Sequence, residues 1–194
     1  MNEHIRPAIT TLGLMIALTG LAYPLAMTGL GQALMPEQAN SSLLSRDEHV
    51  VGSAIVGQAF DAPGYLHPRP SAVDYDAAAA GASNLAPTSA SLLADQAERA
   101  EAFRTENGAS RVPVDAVTTS GSGLDPHISP QNAAAQVGRI AQARGVAEPE
   151  IQRLIAQHVE PRWLGIFGEP RVNVLLTNLA LDAAFPLAPT APSS

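Results

Sequence analysis

The residues best able to do chemistry lie in one stretch, residues 118–130, which reads Thr-Thr-Ser-Gly-Ser-Gly-Leu-Asp-Pro-His-Ile-Ser-Pro. Ser122, Asp125 and His127 offer a hydroxyl, a carboxylate and an imidazole, the three groups of a hydrolase triad. The string lacks the Gly-x-Ser-x-Gly pattern of a nucleophile elbow, and triad members meet in space rather than in sequence. Turns and a Ser-Pro helix start explain the same residues without catalysis. The chain is therefore predicted to have no catalytic residues, with a membrane-anchored extracytoplasmic hydrolase using these three residues as the alternative.

A phosphate site is a second possibility. Ser120, Gly121, Ser122 and Gly123 precede a predicted helix, and backbone amides in such a run are suited to cradle a phosphate. All 11 basic residues are arginine, so the absence of lysine excludes a Walker-type phosphate loop and Schiff-base chemistry. We expect no cofactor bound by this chain on its own.

The histidines and carboxylates show no metal-ligand spacing. His67, His127 and His158 are scattered, as are Asp115, Asp125 and Glu160; no His-Glu-x-x-His string occurs and cysteine is absent. His158 falls on the apolar stripe of a predicted helix and is interpreted as a hydrogen-bonded core residue. The sequence therefore predicts no metal site.

Charge is distributed unevenly along the chain. All but Glu3 of the 18 acidic residues and all but Arg6 of the 11 arginines follow Pro36, so the net charge of −7 belongs to that part. An acidic surface repels nucleic acid, so no nucleic-acid partner is expected.

Residues 7–36 contain no Asp, Glu, Lys or Arg. A helix over residues 8–27 is about 30 Å long, the thickness of a bilayer's hydrocarbon core. A cleaved signal peptide is the alternative, but its apolar region is only about 7–15 residues long. We therefore predict a retained single membrane helix over residues 8–34.

The flanking charges give an orientation. Arg6 lies directly beside the apolar segment, whereas Arg46 lies farther away among Asp47 and Glu48. Because cytoplasmic flanks are enriched in basic residues, residues 1–7 are predicted to be cytoplasmic and the following domain extracytoplasmic.

Within the membrane segment Gly13, Ala17 and Gly20 share one face of an α-helix, and small residues let neighbouring membrane helices approach closely. Pro24 is expected to kink the outer half of the helix because it removes one backbone hydrogen bond.

The remaining chain is predicted to form a small α/β or α+β domain over residues 50–185, after a connector at 35–49 and before a disordered tail at 186–194. A long loop over residues 61–87 is expected to pack on the domain. The periodicity predicts strands at 50–57 and 112–119 and helices at 89–107, 131–144 and 148–160. The helix at 131–144 is expected to bury Ala134, Val137, Ile140 and Ala141, and the end is either a strand at 172–176 or a helix at 174–181.

Blocks of sequence along nearly the whole chain resemble one family. Beyond the membrane segment they read, in order, GQAF, YLHPRPSA, GASNLAPT, VPVD, SGSGLDPHISP and GEPRVN. Together these blocks resemble the C subunit of the bacterial high-affinity Kdp potassium-transporting ATPase, although Ala82, Ala86 and Ser89 depart from its usual residues. The family-motif positions are Arg69, Asn84, Asp115, Asp125, His127, Arg171 and Asn173.

The resemblance implies an accessory, non-catalytic subunit of an inner-membrane potassium-uptake complex. The implied partners are a potassium-channel-like subunit, a P-type ATPase subunit that carries the phosphorylation chemistry, and a small single-span subunit. The resemblance also implies a role in assembly and as a catalytic chaperone that raises the ATPase subunit's affinity for ATP. ATP is thus implied only together with that partner.

Overall fold

The structure, a computed structural model, describes residues 3–46 and 49–187. The chain divides into two compact units between Val51 and Gly52. Most of the tail predicted to be disordered lies outside the described residues. The elements of the first unit are helices α1 (Ile5–Met15), α2 (Tyr23–Leu34) and α3 (Pro36–Ala39) and strands β1 (Leu43–Arg46) and β2 (His49–Ser53), the last of which ends in the second unit.

The remaining elements belong to the second unit. They are α4 (Ala90–Asn107), α5 (Val114–Val117), β3 (His127–Ile128), α6 (Pro130–Ala135), α7 (Val137–Arg144), α8 (Glu148–Gln157), β4 (Val159–Glu160), β5 (Arg171–Asn173) and α9 (Val174–Ala184). This mixture of helices and short antiparallel strands after one long apolar helix confirms the predicted fold class.

One continuous apolar helix runs over Ile5–Leu34, and it is the helix in the described residues with the length and composition to cross a membrane. At about 1.5 Å per residue it is about 45 Å long, which exceeds the hydrocarbon core. None of its residues is buried within this chain, as expected for a helix whose solvent is lipid.

A π-helical segment, Ile16–Ala22, interrupts the α-helical geometry just before Pro24. Pro24 has no N–H to donate to the preceding turn, and the Tyr23 N–H reaches Leu18 O instead, five residues back. A π-helical turn holds more residues than an α-helical turn. Gly20 is therefore rotated away from the line through Gly13 and Ala17 that a continuous α-helix produces.

The core of the second unit lies between a three-stranded antiparallel sheet and the last four helices. The strand order is β3-β5-β4, with Ile128 and Val159 both paired to Val172 of the central strand. Helices α6 and α9 contact β5, and α8 contacts α6, α7 and α9. The buried apolar cluster comprises Leu66, Ile128, Ala133, Val137, Ile140, Ala141, Ile151, Leu154, Ile155, Val172, Val174 and Leu181.

Leu66 is the one member of this cluster that comes from the long loop rather than from a helix or strand or its end. Burying it also buries its backbone, whose polar groups need partners. The Asn178 side chain accepts from Leu66 N (2.7 Å) and donates to Leu66 O (3.0 Å). Gln136 does the same for His67, at 2.8 Å and 3.1 Å. Two side-chain amides thus take the place of a neighbouring strand, and the loop packs on the domain as predicted.

Two arginines complete the anchoring of this segment. Arg139 Nη1 donates to Pro63 O (2.7 Å) and Tyr65 O (2.9 Å), and its Nη2 donates to Gln136 Oε1 (2.6 Å). Arg144 Nε donates to Gly64 O (2.7 Å), while the same guanidinium binds Asp182 at 3.0 Å. Segment 63–67 is therefore held on both sides by α6, α7 and α9.

The predicted strand at residues 112–119 is wrong, because α5 forms there instead. Pro113 precedes a single helical turn, and the Thr118 hydroxyl donates back to Val114 O at 2.8 Å. Arg99 of α4 donates to Val117 O at 3.2 Å, so a helix rather than a neighbouring strand satisfies this backbone.

The helix predicted at residues 131–144 is divided at Gln136 into α6 and α7. The break rotates the first half, so Ala133 is buried and Ala134, which was expected inside, is exposed. Val137, Ile140 and Ala141 are buried as predicted.

Other local predictions are confirmed. Ser129 accepts a hydrogen bond from Asn132 N as the N-cap of α6, at the predicted Ser-Pro helix start, and Ser89 accepts one from Leu92 N as the N-cap of α4. The two interpretations of the chain end both hold in part, since β5 stops at Asn173, whose side chain caps α9. The expectation for His158 holds only in part, because its Nδ1 contacts Leu154 O at 2.9 Å but the residue is half-buried at the end of α8 and not a member of the core.

Removing the Gln136 side chain is expected to destabilise the second unit. Gln136→Ala leaves the His67 backbone and the Arg139 guanidinium without partners in a buried place, which should lower the free energy of unfolding by about 2–4 kcal/mol. Urea denaturation of the full chain in detergent, followed by circular dichroism, measures it. Gln152→Ala, on the exposed side of α8, is the matched control and should change stability little. Equal effects of the two substitutions would contradict the anchoring role.

His67 makes stability depend on pH. Burial and the nearby Arg139 lower the pKa of His67, although Ala62 O and Glu106 oppose the change. The ring lies between groups of both kinds, with Nδ1 3.0 Å from Glu106 Oε1 and Nε2 3.1 Å from Ala62 O and 3.3 Å from Arg139 Nη1.

When folding lowers the pKa of a histidine, the unfolded chain binds its proton more readily than the folded chain. The free energy of unfolding is therefore unaffected above the unfolded pKa of about 6.5 and decreases as the pH falls from that value towards the lower pKa of the folded state. The free energy of unfolding should therefore fall more steeply below neutral pH in the natural chain than in His67→Gln. Denaturation at a series of pH values checks this, and parallel curves would refute it.

Candidate functional site

Five of the seven motif positions line one open cleft of about 340 Å³. The cleft lies where the loop after Pro68, the sheet and the start of α6 meet. Its polar lining combines the Ser129 hydroxyl with basic and acidic side chains, which are Arg69, Asp115, Asp125, His127, Glu169 and Arg171. The fold thus brings together Arg69 and Arg171, which are more than a hundred residues apart in sequence. The sequence alone does not indicate this proximity.

Arg69 and Asp125 form the first ion pair of the cleft, with Nη1 3.0 Å from Oδ2. Burial alone raises the pKa of Asp125, but hydrogen bonds from His127 and the Arg69 guanidinium outweigh it and hold the pKa below its usual value. Arg69 is itself positioned by Tyr75, whose hydroxyl donates to Arg69 O at 2.6 Å. Burial raises the pKa of Tyr75 to about 12, so the phenol stays protonated.

His127 connects this pair to a second one. Its Nδ1 lies 3.5 Å from Asp125 Oδ1 and its Nε2 lies 3.9 Å from Glu160 Oε2. Glu160 in turn accepts from Arg171 Nε at 2.8 Å, and these two residues face each other across β4 and β5. Acidic and basic groups therefore alternate from Arg69 to Arg171, so each basic side chain of the series has a carboxylate beside it.

Asp115 has a capping role. Its carboxylate accepts from Ser129 N (2.7 Å), Ser129 Oγ (2.9 Å) and Asn132 Nδ2 (3.1 Å). These contacts place a negative group at the N-terminus of α6 and tie the α5 turn to it. The position that a bound anion takes at a helix N-terminus is thus taken by this carboxylate.

The two remaining motif positions, both asparagines, lie outside the cleft. Asn173 is buried, caps α9 and donates to Ala54 O at 2.7 Å. Asn84 is exposed, has a positive φ of 52° and donates to Ala82 O at 3.1 Å. Both side chains hold backbone, and neither lines the cleft.

The Ser120, Gly121, Ser122 and Gly123 run forms a packed turn. Ser122 O accepts from Gly81 N (2.8 Å) and Gly123 O accepts from Ser71 Oγ (2.7 Å). Gly123 has φ +70°, and an added Cβ would lie 2.5 Å from Val73. The turn secures the long loop, and α6 begins only at Pro130, so these residues do not form the N-terminus of the helix that they were predicted to precede.

The triad alternative receives no geometric support from the side chains. The Ser122 hydroxyl accepts from Leu124 N at 3.1 Å, and the ring nitrogens of His127 face two carboxylates. Across residues 3–46 and 49–187, no group of three or more His, Asp or Glu side chains is placed to hold a metal ion.

Sequence reasoning missed Gln136, Arg139 and Asn178, because an amide or guanidinium inside a helix gives no sign of which backbone it binds. It also passed over the β4–β5 hairpin. The sequence did contain a turn signal there, because Gly165 lies between two pairs of large apolar residues, Trp163-Leu164 and Ile166-Phe167. Pro161-Arg162 precedes this run and Glu169-Pro170 follows it.

Comparison with known proteins covers both units. The sequence matches the family model described as "KdpC: K+-transporting ATPase, c chain" over residues 5–183. A protein of Cereibacter sphaeroides named potassium-transporting ATPase KdpC subunit is 60% identical over 184 residues, 95% of this chain and 99% of that protein. Proteins of the same name are 51% identical in Gemmatimonas aurantiaca, covering 100% of this chain and 98% of theirs, and 52% identical in Caulobacter vibrioides, covering 96% of each. Since the match spans the apolar helix and nearly all of the second unit, this chain belongs to the KdpC family, the c chain of K+-transporting ATPases.

Proposed function

We propose that this chain is a non-catalytic accessory subunit of a high-affinity, ATP-driven potassium-uptake complex. The observation that carries the proposal is the family match over residues 5–183, at 60% identity to a potassium-transporting ATPase KdpC subunit. The proposed partners are a potassium-channel-like subunit, a P-type ATPase subunit and a small single-span subunit. In this arrangement the phosphorylation chemistry belongs to the ATPase subunit.

The cleft supports a structural rather than a catalytic role. The Arg69–Asp125 and Glu160–Arg171 pairs compensate one another's charge, and Asp115 is used as a helix cap. A general acid or base needs a group free to exchange a proton with substrate, and these groups are already engaged. The cleft is better suited to holding the loop, sheet and α6 in one rigid surface that a partner can recognise.

The apolar helix is proposed to join the complex through its small residues. An added Cβ at Gly13 meets no atom of this chain within 4 Å, so the space beside it is open to a neighbouring helix. Ala17 lies close to the same face, whereas the π-helical segment rotates Gly20 away from it. Gly13 and Ala17 are therefore the sharper test positions.

We place the helix in the bacterial inner membrane, with the N-terminus inside and the second unit outside. The support is the position of Arg6 directly beside the helix, with Arg46 beyond residues 35–45 on the other side. From that side the chain does not reach cytoplasmic ATP. The proposed increase in the ATPase subunit's affinity for ATP is then an allosteric effect transmitted through the complex.

Assembly tests the proposed role. Gly13→Leu combined with Ala17→Leu should remove the channel-like and ATPase subunits from affinity-purified material while this chain stays in the membrane fraction. The complex of the other subunits, purified without this chain, should then show a raised KM for ATP in its potassium-stimulated ATPase activity. Gly29→Leu is the matched control, because a side chain there also meets open space. Unchanged co-purification in the double variant would contradict helix docking, and failure of the natural chain to co-purify would contradict the accessory role itself.

Orientation has a direct test because the chain has no cysteine. Glu101→Cys on α4, whose natural side chain is 76% exposed, should react with a membrane-impermeant thiol reagent in intact spheroplasts. His4→Cys should react only after the membrane is permeabilised. The reverse pattern would place the second unit in the cytoplasm.

A further inference from the structure

The β4–β5 connection is a hairpin that carries four large apolar side chains into solvent. All ten residues from Pro161 to Pro170 are exposed. Trp163, Leu164, Ile166 and Phe167 are 69, 70, 73 and 59% exposed, respectively. We call residues 163–167 the apolar tip. Exposed apolar patches of this density mark an interaction site rather than ordinary surface.

The tip is a formed structure. Trp163 N donates to Phe167 O (2.9 Å) and Phe167 N donates to Trp163 O (3.0 Å), which closes the hairpin. The two rings are 5.7 Å apart. Leu164 at φ +52° and Gly165 at φ +74° make the turn. The four side chains are thus presented by a hydrogen-bonded turn and need little ordering on binding.

The base of the tip is polar and electrically neutral. Arg162 and Glu169 form an ion pair of 2.6 Å directly below the tip, and Arg171 binds Glu160 one step farther down. A compact apolar end above a paired polar collar is the arrangement of a segment that enters the upper part of a bilayer, with charges left at the interface. Trp163 lies where the apolar tip meets this polar collar, and tryptophan is favoured at the corresponding interface between a membrane and water.

The chain itself brings a bilayer within reach. Only residues 35–51 connect the apolar helix to the second unit, and fully extended they span at most about 60 Å. A unit of this length has a radius of gyration of about 14–15 Å, so its whole surface can approach the membrane. The paired rings of Trp163 and Phe167 close the tip, and the aliphatic side chains of Leu164 and Ile166 lie at its turn.

We propose that the apolar tip inserts into the surface of the bilayer that holds the apolar helix, giving the second unit a membrane contact of its own. The occupant is the acyl and glycerol region of a phospholipid bilayer, recognised by shape and hydrophobicity rather than by headgroup charge. The inference requires the membrane helix but neither the proposed partners nor a particular leaflet.

Trp163 reports on the tip because it is the only tryptophan of the chain. The full chain alone is reconstituted into phosphatidylcholine vesicles, with or without bromine near the top of the acyl chains, and tryptophan is excited selectively. Insertion predicts blue-shifted emission that brominated lipid quenches strongly and aqueous iodide does not. Emission that iodide quenches and brominated lipid leaves unchanged would overturn the proposal. Shielding that appears only after the other subunits are added would overturn it in favour of a protein contact.

Two variants separate the tip from general effects. Leu164→Ser combined with Ile166→Ser should reduce quenching by brominated lipid severalfold while circular dichroism is unchanged. Leu93→Ser is the matched control, since Leu93 is 58% exposed on a different element, α4, and should leave quenching unaltered. Equal quenching in all three chains would refute insertion by the tip. Flotation of each chain with the vesicles measures the membrane helix independently, so loss of the anchor is distinguished from loss of tip insertion.

Discussion

The second unit depends on a requirement that buried backbone polar groups find partners. Leu66 enters the core from an irregular segment, so no strand or helix ladder satisfies the amides around it. Asn178 and Gln136 supply those hydrogen bonds from α9 and from the junction of α6 and α7. Because each of these side chains binds one residue's N–H and C=O together, the same contacts that stabilise the loop also set the spacing of the helices around it.

The cleft follows from that arrangement. Once residues 63–67 are held, Arg69 emerges beside the sheet and meets Asp125, and the ion pairs continue through His127 to Arg171. Side chains that looked like catalytic candidates in sequence are joined in a network that fixes loop, sheet and helix relative to one another. For a member of a transport-ATPase family, a rigid polar surface suits recognition by a partner, and the exposed apolar tip offers a second, chemically different surface.

Local features were predictable where one short stretch determines the outcome. The Ser129-Pro130 start of α6, the Ser89 cap and the apolar helix each follow from neighbouring residues. The strand predicted at residues 112–119 failed because its β-branched alternation has no neighbouring strand to pair with. The gathering of Arg69 with Arg171, and the role of Gln136, depend on tertiary contacts that spacing along the chain does not encode.

The Asn178 contact has a consequence for synthesis of the protein. Its partner, Leu66, precedes it by 112 residues, and α9 is the last helix of the described chain. The Leu66 N–H and C=O therefore lack their Asn178 partner until 112 further residues have been synthesised, and the membrane helix is made long before that moment. The nascent second unit must wait in an incomplete state while already attached to the membrane, and its core closes as one late event when α9 arrives.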